Sequence, residues 1–104
     1  MAKAKTPSET WFLYIVRCAD GTLYTGIARD VQARIALHDA GKGARYTRGR
    51  GPLTLCAVRR FRSKGAALSL EHAIKQLPRP LKEQLIEPGR LSRLRVRAAK
   101  ARAR

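Results

Sequence analysis

Apolar residues fall into short runs separated by glycine, proline and charged residues, and the spacing within the runs changes along the chain. Residues 11 to 17, Trp-Phe-Leu-Tyr-Ile-Val-Arg, are aromatic and β-branched, which favours a strand. Asp20-Gly21 marks a turn, and residues 22 to 26 continue as a second strand. The pattern therefore predicts a β-hairpin.

The length of the hairpin loop decides which side chains share a face of the sheet. A two-residue loop puts Tyr14 and Tyr24 on opposite faces. A three-residue loop, residues 19 to 21, pairs Val16 with Tyr24 and brings both tyrosines to one face. The sequence leaves both registers open, although Gly21 in the third loop position suits the longer loop.

Two longer helices and a third strand are predicted beyond the hairpin. Asp30 can cap a helix that ends near residue 40, with Val31, Ile35 and Leu37 turned towards the core. A strand pattern follows over residues 53 to 61, and Ser63 can cap a helix over residues 64 to 77. The apolar stripe expected on that helix is Ala67, Leu70, Ala73, Ile74 and Leu77.

The end of the chain predicts one more short helix and then a basic tail. A proline at position 80 suits the first turn of a helix over about residues 81 to 86. Residues 90 to 104 contain seven basic residues and no acidic one. We expect a flexible arm over residues 1 to 9, one folded domain over residues 10 to 89, and a mobile tail over residues 90 to 104.

Composition favours a cytoplasmic globular protein over a membrane-spanning or exported one. The 104 residues are 44% hydrophobic, which allows a modest core, and no apolar run approaches the roughly 20 residues of a membrane helix. The first residues also lack the apolar core of an export signal. Two cysteines, Cys18 and Cys56, neither define a disulfide framework nor form a metal site alone. We therefore expect a cytoplasmic protein with reduced, buried thiols.

The net charge of +16 indicates a polyanionic partner. The tail carries +7 of this charge, so +9 remains on the rest of the chain. Nucleic acid is the leading candidate, while solubility and an anionic membrane surface are the alternatives. A glycine-rich segment over residues 41 to 52 supplies one aromatic and four basic side chains for such contacts. These are Lys42, Arg45, Tyr46, Arg48 and Arg50.

Three further groups have ordinary structural explanations as well as chemical ones. Tyr14 and Tyr24 are usual packing residues of a strand, and Arg34 with His38, one helical turn apart, can form a solvated helix face. Glu71 lies beside the apolar stripe of the long helix. It can pair with Lys75 at i+4, or it can hold a hard divalent cation such as Mg²⁺.

Taken in order, these residues resemble the GIY-YIG nuclease superfamily. Leu13-Tyr14-Ile15 and, after ten residues, Tyr24-Thr25-Gly26 resemble its paired tripeptides. Arg34, His38 and Glu71 follow at matching places. Residues 41 to 47 and 70 to 78 are similar, more narrowly, to the small single-domain bacterial members of uncharacterised function.

The resemblance implies an α/β (α+β) fold, in which a small, mostly antiparallel three-stranded sheet is flanked by helices. It also implies an endonuclease that hydrolyses phosphodiester bonds with one divalent metal, Mg²⁺ or Mn²⁺. In these roles Tyr14 and Tyr24 flank the attacking water and one of them is the base, so nearby cations have to lower its pKa. Arg34 binds the scissile phosphate, His38 hydrogen-bonds a tyrosine or phosphate, and Glu71 holds the metal.

The nucleic acid is expected to be DNA rather than RNA, with Lys75 added to the basic loop residues as a contact. Many nucleases of the superfamily use an asparagine late in the domain, and this chain contains none. A non-catalytic or weakly catalytic DNA- or RNA-binding module on the same scaffold is therefore the alternative. A structural role in an RNA–protein assembly is a third possibility.

Overall fold

A computed structural model describes residues 10–42 and 50–94 of the chain. Strand β1 covers Trp11–Arg17 and strand β2 covers Leu23–Ala28. Their antiparallel register pairs Val16 with Tyr24, as the three-residue loop requires. Gly21 takes the expected left-handed conformation, with φ +89°. The longer loop is therefore confirmed, and both tyrosines lie on one face of the sheet.

A third strand completes the sheet. Strand β3, Thr54–Phe61, pairs antiparallel with β1, so the strand order is β2-β1-β3 and β1 is central. Helices lie against both faces, which confirms the expected class of a three-stranded antiparallel sheet flanked by helices. Within the two described ranges, no helix is long and apolar enough to span a bilayer.

Capping residues start the two longer helices where the sequence predicts. The side chain of Asp30 accepts a hydrogen bond from Ala33 N at the start of α1, Val31–Asp39. The hydroxyl of Ser63 does the same for Ala66 N at the start of α2, Lys64–Lys75. Each side chain satisfies an N–H group that the first helical turn leaves without an intrahelical partner.

Three helices differ from what the sequence predicts. Helix α2 ends at Lys75 and not at residue 77, because a residue preceding proline avoids the helical conformation. Helix α3 covers Arg79–Gln84 and begins two residues earlier than predicted, with its proline in the first turn. A fourth helix, α4, covers Arg90–Arg93, where the sequence predicts a mobile tail.

The core consists of two clusters, one on each face of the sheet. Leu13 and Ile15 pack with α2 and with the two short helices, and three of the five stripe residues of α2 are buried: Ala67, Leu70 and Ile74. On the other face, Tyr14 and Val16 pack beneath α1. The prediction that Leu37 faces the core is wrong, since 44% of it is exposed and the next residue, His38, takes the buried position.

The thiol prediction is correct only in part. Both cysteines are free thiols, and Cys18 is buried directly after β1. Cys56 is only partly buried, because it lies on β3, an edge strand that α1 does not cover.

The packed part of the chain extends beyond Gly89. Leu91 is only 3% exposed and belongs to the core cluster of α2. The guanidinium of Arg59 donates hydrogen bonds to the carbonyl oxygens of Leu91 and Leu94, at 3.2 and 2.6 Å. Residues 90–94 are thus part of the domain, because an apolar side chain among the arginines reaches the core. The remaining tail residues, 95–104, lie outside the described ranges, as does the expected arm over residues 1–9.

Because α4 is packed, two truncations of the C-terminal segment are expected to differ in stability. Removal of residues 90–104 is expected to lower the free energy of unfolding by about 2–5 kcal/mol, because a buried leucine is lost and Arg59 loses two acceptors. Removal of residues 95–104 alone leaves both in place. Urea denaturation of the two truncated proteins measures the difference, and equal stabilities would show that α4 contributes nothing to the core.

Candidate active site

Three aromatic rings meet on the α1 face of the sheet. The Oη atom of Tyr14 lies 3.0 Å from Nε2 of His38, within hydrogen-bond distance. The ring centroids of Tyr14 and Tyr24 are 6.4 Å apart, and the ring of Tyr24 meets that of His38 edge-on at 5.4 Å. Tyr14 and His38 are 1% and 2% exposed, whereas Tyr24, on edge strand β2, is partly exposed. The cluster therefore has a buried side and an open side.

Gly26 permits this arrangement. It pairs with Tyr14 across the two strands, and a Cβ atom there would lie 2.6 Å from Oη and 2.8 Å from Cζ of Tyr14. The phenol of Tyr14 therefore lies directly against the β2 backbone and extends towards the edge of the sheet. The sequence identifies Gly26 within a tripeptide but assigns it no role, and only the strand register shows which side chain needs the space.

Substitution of Gly26 by alanine is expected to displace the Tyr14 phenol and to break its contact with His38. The added methyl group meets a buried ring that has little room to move. Chemical shifts of the His38 ring should change, while circular dichroism should retain the sheet and helices. Gly65→Ala is the matched control, because a Cβ atom at that position meets nothing within 4 Å. Unchanged His38 shifts in Gly26→Ala would contradict the close approach.

Burial is the main cause of the pKa shifts of Tyr14 and His38. Burial, followed by the neighbouring Tyr24, raises the pKa of Tyr14 to about 12, although Arg34 acts in the opposite direction. The expectation that nearby cations lower the pKa of a tyrosine base therefore fails at Tyr14, because loss of hydration outweighs the field of one guanidinium. Burial and Arg34 together lower the pKa of His38. Near neutral pH both groups are uncharged, and the phenol can donate to Nε2 when the imidazole proton is on Nδ1.

Arg34 and Glu71 act electrostatically on the same phenol from two helices on opposite faces of the sheet. Arg34 is an exposed residue of α1, one turn before His38, and Glu71 lies on α2, which packs beside edge strand β2. Their charges shift the pKa of Tyr14 in opposite directions, so both are within electrostatic range of its hydroxyl. The structure thus brings together all five residues that the resemblance assigns to the reaction: Tyr14, Tyr24, Arg34, His38 and Glu71.

Lys75 lies beside two residues of this cluster, and its contact with nucleic acid stays a prediction. Its Nζ atom is 3.3 Å from Oε2 of Glu71 and 5.8 Å from the ring centroid of Tyr24. The i+4 ion pair that the sequence allows is therefore present. Only 16% of the Glu71 side chain is exposed, compared with 49% for Lys75, so the carboxylate is the more enclosed partner.

The donor set fits a divalent cation held by a single carboxylate. Within residues 10–42 and 50–94, no group of three or more His, Cys, Asp or Glu side chains could surround a metal. Mg²⁺ does not need such a cage, because one or two carboxylates together with water and substrate phosphate commonly complete its coordination. Glu71, set among a phenol and an arginine suited to phosphate, matches that requirement.

The basic loop is described only at its two ends. Lys42 is exposed. Arg50 forms an ion pair with Asp20 of the hairpin, at 2.5 Å between Nη1 and Oδ2. Arg45, Tyr46 and Arg48 lie outside the described residues, so their contact with nucleic acid stays a prediction.

Comparison with known proteins supports one family. Residues 10–84 match the family described as the GIY-YIG catalytic domain. A UPF0213 protein of Natronomonas pharaonis is 53% identical over 75 residues, which cover 72% of this chain and 88% of that protein. A UPF0213 protein of Oceanobacillus iheyensis is 48% identical over 79 residues, covering 76% and 92%. These names state a family and no activity.

Two solved structures are also similar. The solution NMR structure of a UPF0213 protein from Bacillus halodurans is 49% identical, with a TM-score of 0.50, and covers 74% of this chain and 82% of that one. The solution NMR structure of a protein from E. faecalis is 30% identical, with a TM-score of 0.56, and covers 83% and 92%. The family match over most of the chain, together with these relatives, shows that the chain belongs to the GIY-YIG domain family and is similar to the UPF0213 proteins within it.

Proposed function

We propose that the protein is a metal-dependent endonuclease that hydrolyses phosphodiester bonds of nucleic acid, DNA rather than RNA. One observation carries the proposal: Tyr14 contacts His38 at 3.0 Å while Arg34 and Glu71 both act on its hydroxyl. Packing alone does not need a phenol, an imidazole, a guanidinium and a carboxylate at one point. Membership of a nuclease domain family makes nucleic acid the expected substrate class.

The charged residues of the site have complementary roles. A divalent cation held by Glu71 would supply charge neutralisation at the phosphate and a more acidic bound water. Arg34, exposed at the mouth of the cluster, binds the scissile phosphate through its planar guanidinium. Phosphoryl transfer depends mainly on positioning and on charge stabilisation, and these two residues provide both.

The two tyrosines have different roles because their surroundings differ. Tyr14 is buried and its pKa is about 12, so it stays protonated near neutral pH and orients the water and His38 by hydrogen bonding. Tyr24 is partly exposed on the open side and lies beside the ammonium of Lys75. We assign the general base to Tyr24, because a base has to reach the water as well as give up its own proton.

The positive charge of the chain supports nucleic-acid contacts outside the reaction centre. The net charge of +16 favours a phosphate backbone, and the exposed Lys42 lies just after α1, the helix that carries Arg34. Lys42, Arg45, Tyr46, Arg48 and Arg50 are the contacts we assign to the loop. Arg50 would exchange its partner Asp20 for phosphate, or hold the hairpin while its neighbours bind.

The direct test is a nicking assay on supercoiled DNA, with single-stranded DNA and RNA in parallel. Mg²⁺ or Mn²⁺ should support nicking, and EDTA should abolish it. Nicking that is equally fast in EDTA would reject the metal-dependent reaction. If no substrate is cut while DNA still binds, the endonuclease is rejected in favour of a nucleic-acid-binding module.

The binding module is the second candidate, and one observation favours it. Glu71 is already paired with Lys75, and the phenol next to it holds its proton tightly. In a protein that only binds nucleic acid, this ion pair persists in the presence of Mg²⁺. The resonance of the Lys75 ammonium distinguishes the candidates, since it shifts on addition of metal only if the cation displaces Lys75 from Glu71.

A further inference from the structure

The single tryptophan of the chain lies at the end of the sheet, away from the hairpin. Trp11 begins β1 and is partly exposed, although Leu13 and Ile15 on the same face of that strand are buried. Two cations approach its indole ring. The Cζ atom of Arg29 lies 6.0 Å from the ring centroid, and the Nζ atom of Lys64 lies 5.1 Å from it.

These cations come from two different elements. Phe12 pairs with Ala28, so the same register places Arg29 directly opposite Trp11. Lys64 is the first residue of α2. Both are exposed, and within residues 10–42 and 50–94 neither lies within ion-pair distance of a carboxylate. A partly exposed aromatic ring beside two exposed cations that have no carboxylate partner in the described residues is a combination suited to an anionic, aromatic ligand.

Helix α2 connects this cluster to the candidate active site. Positions 64, 68, 71 and 75 follow the helical repeat and form one stripe, which includes Lys64, Glu71 and Lys75. At 1.5 Å per residue, about 16 Å separates Lys64 from Lys75 along the helix. Arg29 directly follows β2, and at 3.3 Å per residue about 16 Å also separates it from Tyr24.

Side chains from α2 and from the β2 segment therefore lie close together at both ends of this distance. Arg29 and Lys64 meet at Trp11, and Tyr24 and Lys75 meet at the other end. Trp11 and Tyr24 lie on opposite faces of the sheet, so the path between the two clusters, about 16 Å long along α2, passes around the sheet edge that β2 forms. At a rise of 3.4 Å per nucleotide, this length corresponds to about five stacked nucleotides.

We propose that Trp11, Arg29 and Lys64 form a binding site for an unpaired stretch of the nucleic-acid strand, about 16 Å along α2 from Lys75, which lies beside Tyr24 and Glu71. The two cations, which lie over the indole ring in the free protein, move to the flanking phosphates, and the indole stacks on one base. Bases within a duplex are already covered on both faces, so the site selects substrates with single-stranded character near the cleavage point. This inference rests on the proposed function in its choice of nucleic acid as ligand.

The single tryptophan reports on its own site. Full-length protein is titrated with a short oligothymidylate in EDTA, so that no cleavage is required, and both indole fluorescence and the anisotropy of a labelled copy are recorded. We expect saturable quenching of Trp11 with the same Kd as the anisotropy change. A matched duplex should bind without quenching. Anisotropy that reports binding of the single strand while Trp11 fluorescence stays constant would overturn the proposal, and this readout needs no variant.

Variants separate stacking from general charge. Trp11→Leu is expected to weaken oligothymidylate binding about tenfold and duplex binding much less. If Trp11→Leu does not fold, Trp11→Phe retains an aromatic packing residue and should give a smaller loss in the same direction.

The double variant Arg29→Ala/Lys64→Ala is compared with Lys82→Ala/Arg90→Ala, which removes the same charge from α3 and α4. Weaker binding in the first double variant alone supports the site. Equal losses in both double variants would show that the two cations act only by non-specific attraction, and this would overturn the proposal. Nicking and quenching are measured separately. Quenching without nicking rejects the endonuclease and retains this site. Nicking without quenching rejects this site and retains the endonuclease.

Discussion

Replacement of Glu71 by glutamine is expected to reduce metal-stimulated nicking at least about a hundredfold. Glutamine keeps the shape of the side chain but loses the negative charge that holds a divalent cation, and metal stabilisation of a phosphoryl transition state is worth several kcal/mol. Loss of the ion pair with Lys75, whose ammonium is half-exposed, should change the free energy of unfolding by less than about 1 kcal/mol. The expected signature is thus inactivity in a stably folded protein.

Glu87→Gln is the matched control for this experiment. Glu87 also loses an ion pair, with Arg90 at 3.9 Å, but lies between α3 and α4, away from the tyrosine cluster. Rates are measured as nicking of supercoiled DNA over a series of Mg²⁺ and Mn²⁺ concentrations. Wild-type rates in Glu71→Gln would remove Glu71 as the metal ligand, and equal losses in both variants would point to a general effect of charge.

The tyrosine variants are expected to have opposite effects on activity and stability. Tyr24→Phe should lower the single-turnover rate by about 10²–10⁴-fold, the usual contribution of a general base, with little change in the free energy of unfolding. Tyr14→Phe leaves the Nε2 atom of buried His38 without its phenol partner, which should cost about 1–3 kcal/mol of stability. Tyr14→Phe should also lower the rate less than Tyr24→Phe does.

Single-turnover nicking and urea denaturation of both variants test this assignment. The reverse pattern, with the larger rate loss in Tyr14→Phe, would identify Tyr14 as the base despite its raised pKa.

Local signals in the sequence were sufficient for most of the fold. Gly21 in the third loop position indicated the hairpin register that the structure adopts, and Asp30 and Ser63 marked the starts of two helices. These features act within a few residues of chain, through backbone conformation and capping. Prediction failed where packing between distant segments decides. Periodicity alone could not show that Leu91 reaches the core from an arginine-rich stretch.

The sequence by itself determined the residue types of the candidate site and their order along the chain. The tertiary structure decided how those residues act on one another. It buried His38 against Tyr14 and exposed Leu37, placed Gly26 beneath the phenol, and paired Glu71 with Lys75. It also raised the pKa of Tyr14, one of the two tyrosines considered as the base, because desolvation depends on which segments pack around the hydroxyl. That environment exists only after two strands and two helices from distant parts of the chain have come together.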